Sequence, residues 1–228
     1  MKNRFLASTL LGASIIALPA CSGGVESEIV EAENYTLDML TLDGTETLAF
    51  DADDRLAPAQ QSTIEFWVKA DWDDVPDSDP VVLSNAGPEG ASYMVAIAPE
   101  RDGLSVISGE QGEAVPFDFS DGKAHHVALI DLGDPLAVVV DGVVIDEIDM
   151  TLQALPSEGF FIGSAYGEDD GFIGTIGGLR IWDVAVSTTN LTKYQRKDVL
   201  DPSDPHPDLD YLTALSNFVD QDVILIDR

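Results

Sequence analysis

STIEFWVKA, residues 62–70, alternates in polarity, and that period decides the fold. Ile64, Phe66 and Val68 fall on one face of an extended chain, and Glu65, Trp67 and Lys69 on the other, because successive side chains of a strand point to opposite sides. Segments of the same kind recur outward from it in both directions. LDMLTLDG and TLAF form a hairpin or bent strand pair with Asp43-Gly44 at its turn. PVVLSN, SYMVAIAP, GLSVISG, HHVALID, GFFIGSA and GLRIWDV are further strands. In LAVVVDGVVIDEID, Asp141-Gly142 supplies a two-residue turn that accepts positive φ. Short strands split by turn signals about every ten residues describe a β-sandwich. One short helix near the C-terminus opens at Ser187, an N-cap residue, and runs through TTNLTKYQRKDVL. The prolines of DPSDPHPDLD end it, and DYLTAL and DVILID return to the sandwich.

The beginning of the chain is of another kind. Residues 1–20 open with Lys2 and Arg4, continue through a short apolar run and reach Leu18-Pro19-Ala20, the marks of a secretory signal. Cys21, the single cysteine, follows at once. The stretch resembles the lipobox of bacterial lipoproteins, which implies a diacylglycerol-bearing cysteine as the first mature residue. An ordinary signal peptide with an incidental cysteine is the alternative. Ser22, where aspartate would favour the inner membrane, implies an outer-membrane lipid anchor. Residues 21–34 are small and acidic and serve as a tether; 35–228 form the domain, which has no disulfide to lean on.

Charge bounds the partners. The chain carries 42 acidic and 11 basic residues, a formal net charge of −31, and loss of Lys2 and Arg4 with the leader takes it to −33. Such a surface repels nucleic acid and anionic headgroups. The acids are dispersed among apolar strands, which indicates a solvated folded surface.

The motifs STIEFWVKA, DGKAHHVALI, VVVDGVVI and GFIGTIGGLRIWDVAVS, in that order, resemble the laminin-G-like members of the concanavalin A-like lectin/glucanase superfamily over about residues 40 to 187. The resemblance implies an all-β, two-sheet antiparallel jelly-roll sandwich with one concave face. Glycosidases of the superfamily carry Glu-x-Asp-x-Glu on one strand, sometimes with one extra residue. Glu147-Ile148-Asp149 supplies two of those carboxylates, but Thr151 and Leu152 stand where the acid/base should be. A retaining mechanism needs both members of the pair, so the segment is expected to be a wet strand face and the protein not an enzyme.

What remains is binding. His125 and His126 are adjacent and point to opposite faces, and with only His206 besides they do not make a zinc site. Calcium prefers several oxygen ligands, and family members often hold it in rim loops. The candidates here are DADD (51–54), DWDDVPDSD (71–79) and GEDDG (167–171), with Asp71, Asp73, Asp74, Asp169 and Asp170 as ligands. A sugar needs an exposed aromatic with polar neighbours; Trp72 and Tyr166 are the candidates, Trp67 and Trp182 being core. The expectation is a lipid-anchored envelope module that binds a glycan, with a protein partner in an envelope assembly as the alternative.

Overall fold

The computed structural model describes residues 37–58, 60–166, 171–216, 218 and 220–227; the leader, Cys21, the tether, Asp169 and Asp170 lie outside them. The first sheet is ordered β10 (Val143–Ile148), β9 (Leu136–Val140), β8 (His125–Asp131), β3 (Thr63–Ala70), β12 (Ile173–Trp182), β13 (Leu212–Ser216) and β14 (Ile224–Leu225), with β1 (Leu40–Asp43) alongside the first half of β12. The second is ordered β2 (Leu48–Phe50), β11 (Gly159–Ile162), β4 (Val81–Gly87), β5 (Gly90–Ile97), β6 (Gly103–Gly109) and β7 (Gln111–Pro116). Neighbouring strands pair antiparallel in both sheets. The architecture is the expected jelly-roll sandwich.

The inner faces meet in one core. Ile64, Phe66 and Val68 of β3 pack there with Tyr93, Val95 and Ile97 of β5, Val127 and Leu129 of β8, and Phe160 of β11. Each large side chain so buried contributes about 1.5–3 kcal/mol. HHVALID and LAVVV are buried along their whole length, because the first sheet is covered outside as well. A second cluster of Ala128, Ile130, Val139, Trp182, Leu191, Tyr194 and Leu212 lies between that sheet and α1 (Thr188–Tyr194).

Local chemistry explains the turns and the helix start. Asp141 and Gly142 have φ of 51° and 80°, the pair of positive values that a right-twisted two-residue hairpin requires. Ser187 Oγ accepts from the Asn190 amide at 3.2 Å. In β12, Gly174 (φ 152°) faces the Lys69 carbonyl with no room for a Cβ, and Gly178 (φ 60°) sits in the register break between Gly177 and Arg180.

Three expectations need correction. LDMLTLDG and TLAF do not pair: β1 joins the first sheet and β2 the second, so Asp43-Gly44 carries the chain across the sandwich. The helix ends at Tyr194, after which the chain turns so that its carbonyls can serve buried donors. β7, QGEAVP, was not expected as a strand; it lacks apolar alternation and is mostly exposed at the sheet edge.

Candidate functional site

The outward faces of the two sheets differ. On the first, Glu65, Trp67, His126, Arg180 and Trp182 point away from the core, yet each is at most 5% exposed. Glu65 Oε2 accepts from His126 Nε2 at 2.7 Å, and Oε1 accepts from Trp182 Nε1 at 2.9 Å and Arg180 Nη1 at 3.4 Å. Arg180 also donates to the carbonyls of Tyr194 (3.1 Å) and Lys197 (2.7 Å), and Trp67 Nε1 to that of Gln195 (3.1 Å). Burial alone would raise the Glu65 carboxyl, but Arg180 and His126 outweigh it and bring it down to about 2. This face is a sealed polar layer under α1 and the segment after it.

The second sheet carries no comparable layer among the described residues. Register places Phe161, Ser84, Met94 and Ile107 in one outward row across β11, β4, β5 and β6. Val81, Ala96 and Ser105 form the next row. Val81, Ala96 and Ala165 make a small apolar cluster with Met94 against it. Phe161, Met94 and Ile107 keep partial contact with solvent. Ser84, Val81 and Ala96 are themselves buried, and Ser84 Oγ donates to the Ser164 carbonyl at 3.1 Å, so only Phe161, Met94, Ser105 and Ile107 leave part of this face in solvent.

Tyr166 stands at one margin, 37% exposed. Its ring meets Phe161 edge-on at 5.8 Å, and its hydroxyl donates to Glu158 Oε2 at 2.6 Å. That hydrogen bond to a carboxylate raises the phenol above its ordinary value. The sequence-predicted Tyr166 is therefore an available aromatic with a polar partner, whereas the role of Glu158 and the outward turn of Phe161 went unpredicted.

Trp72 corrects the expectation of an exposed platform. It is 4% exposed, packs T-shaped on Phe172 at 5.9 Å and donates Nε1–H to the Pro99 carbonyl at 2.9 Å. The indole folds inward because its area is worth more buried, while Asp71, Asp73 and Asp74 beside it face solvent.

The rim at that end joins two of the loops singled out for calcium. The Asp71 amide donates to the Ile173 carbonyl at 3.0 Å, and Val81 bridges Gly171. Ser105 Oγ donates to Asp79 Oδ2 at 2.6 Å, tying the loop to the sheet. The described members of the calcium set do not make a ligand cage: Asp71 pairs with Lys69 at 3.2 Å, and no three His, Cys, Asp or Glu side chains converge on a cation position among the described residues.

Glu147 and Asp149 stand in different surroundings. Glu147 is exposed beside Ile148, which is buried. The charge of Asp149 acts on Asp134 of the β8–β9 turn and holds that carboxyl above its ordinary value. Leu152, where an acid/base would stand, is 2% exposed in the core. Two clefts lie elsewhere, one of about 280 Å³ near Arg180, Lys197 and Asp222 and one of about 400 Å³ near Arg55 and Thr213. Neither contains a residue of the second sheet.

An acid-rimmed sandwich of two antiparallel sheets, with a buried polar layer outside the first and a partly exposed row outside the second, places the chain among lectin-like β-sandwiches. Residues 42–192 match a laminin-G family model of the concanavalin A-like lectin/glucanases superfamily, and the chain belongs to that family. No curated protein matches it. Solved structures share the fold at low identity. Domain 4 of AbnA, a GH43 extracellular arabinanase from Geobacillus stearothermophilus solved with arabinotriose, is 17% identical with a TM-score of 0.53, over 67% of this chain and 74% of its own. The CBM40 of the Ruminococcus gnavus IT-sialidase, bound to α2,3-sialyllactose, is 13% identical with a TM-score of 0.56, over 68% and 95%. A heptameric SAP-like pentraxin from Limulus polyphemus is 14% identical with a TM-score of 0.55, over 85% and 94%.

Proposed function

We propose that this chain is a non-catalytic glycan-binding module, held at the outer membrane by acyl chains on Cys21. The observation that carries the reading is Tyr166, exposed at the margin of the second sheet and hydrogen-bonded to Glu158 at 2.6 Å, beside the half-buried Phe161, Met94 and Ile107. A sugar ring offers an apolar face of C–H groups and a rim of hydroxyls. An aromatic ring with an acceptor beside it matches both. Tyr166 stacks, Phe161 supports it from behind, and Glu158 accepts from a sugar hydroxyl. The sugar ligands of the arabinanase domain and of the CBM40 support a glycan as occupant. Leu152 in place of an acid/base supports binding without cleavage.

The test is retention on a glycan array by the full-length protein in a polyoxyethylene detergent, with and without calcium. Specific retention is expected, weakened about fivefold or more in Tyr166→Ala, since a lost stacking contact is worth about 1 kcal/mol or more. Retention of no glycan in either condition overturns the reading, and unchanged binding by Tyr166→Ala overturns the site. The anchor is tested separately: labelled palmitate enters the wild type and not Cys21→Ser, and an unlabelled wild type rejects it.

A further inference from the structure

Resting on the glycan-binding reading, we infer that the ligand carries no anionic group: it is a glycan recognised through hydroxyls, and sialylated, uronate-containing, sulfated and phosphorylated chains are refused. The rim around Tyr166 and the second sheet is acidic. Its loop between β3 and β4 holds Asp71, Asp73, Asp74, Asp77 and Asp79. The β5–β6 turn, which adds Glu100 and Asp102, is tied to that loop by the bond from Trp72 to Pro99 and by the Ile97 amide donating to Pro80. Glu158 stands beside Tyr166.

Eight rim carboxylates meet two cations, and both cations are engaged. Lys69 lies 3.2 Å from Asp71, and the Arg101 guanidinium sits over the Trp72 ring, 5.8 Å from its centroid. The other described cations are held elsewhere: Arg55 by Asp53 and Asp227, Lys123 by Asp121, Lys193 and Lys197 by Asp204, Arg180 in the sealed layer, and Arg196 over Trp67 on the opposite sheet.

Proteins that capture carboxylate or phosphate place a guanidinium fork or an ammonium at the contact. Here an anionic sugar would meet uncompensated carboxylates in the field of a chain of net charge −31. Specificity of this kind is repulsive as much as attractive. The shared sandwich of the sialyllactose-bound CBM40 therefore does not carry its ligand class across to this chain.

Matched ligand pairs test it with the full-length protein: lactose against α2,3-sialyllactose, and the neutral glycans retained on the array against carboxylated or sulfated counterparts. The measurements are made at about 20 mM and about 500 mM NaCl, which straddle strong and weak screening. Neutral ligands are expected to bind within about twofold at both salt levels, and anionic partners to bind about tenfold or more weakly at low salt, with the gap narrowing at high salt. A triple variant at the exposed Asp73, Asp74 and Asp77, each to Asn, raises binding of the anionic partner and leaves the neutral one unmoved. Equal binding of both partners at low salt overturns the inference and leaves the glycan reading standing. Retention of no glycan of either kind brings down the glycan reading itself.

Discussion

Glu65 shows how a single side chain on the outward side of a strand can be structural. Three donors converge on its carboxylate, and Arg180, one of them, also donates to two carbonyls of the covering segment. Glu65→Gln keeps the shape but leaves the Arg180 charge buried without its counter-ion, a loss of about 3–5 kcal/mol. Thermal denaturation near pH 7 is expected to show this as a large drop in Tm; a shift within error would refute the role. The pH dependence has a definite sign. The carboxyl falls from 4.5 to about 2 on folding, so its stabilisation is complete above pH 4.5 and disappears as pH falls through 2. The difference between wild type and variant should shrink across that window. Alternation alone put Glu65 opposite Ile64 and Phe66, but a strand pattern does not say whether water or another layer lies beyond. Trp72 was misread for a related reason: its acidic neighbours are exposed, and nothing local tells that the indole itself turns under.

At the scale of elements, the β8–β9 turn and the end of β10 meet through two acids. Asp134 is held above the ordinary carboxylate value, first by the charge of Asp149 and then by desolvation and their shared hydrogen bond. A raised acid costs stability where it must ionise, and the cost is relieved as pH falls. Asp149→Asn removes the repulsion, so it should raise Tm modestly near pH 7 and make no difference below the ordinary carboxylate pKa. A variant less stable than wild type at pH 7 would show that the pair is not strained. The elements themselves were legible where local chemistry sufficed: the alternation of β3, the Asp141-Gly142 turn and the Ser187 cap each follow from neighbouring residues. What was not legible depends on distant partners. The crossing of β1 and β2 to different sheets is set by β12 and β11, and the early end of α1 is set by donors on β3 and β12. The outward Phe161 had one local sign, its neighbour Phe160: on a strand only one of them can enter the core, and Phe160 does.

For the whole molecule, charge is the dominant variable. With 42 carboxylates against 11 cations, like charges repel across the compact state more than across the expanded one, so the fold is held against its own field. The described ion pairs relieve only part of this, and several are exposed, where a pair is worth about 1 kcal/mol at most. Screening supplies the rest of the relief: the Debye length falls from about 30 Å at 0.01 M salt to about 8 Å at 0.15 M and about 3 Å at 1 M. The first step removes repulsion across the width of the domain, the second only between neighbours. Tm should therefore climb steeply with NaCl up to roughly 0.15 M and more gently beyond it, while the buried Glu65 pair, shielded from mobile ions, contributes the same at every salt. Comparing wild type with Glu65→Gln along the titration separates the two: parallel curves are expected, both rising. A wild-type Tm that is flat or falls with salt would mean that the carboxylates are neutralised by bound cations, and the repulsive selection against anionic glycans would lose its source.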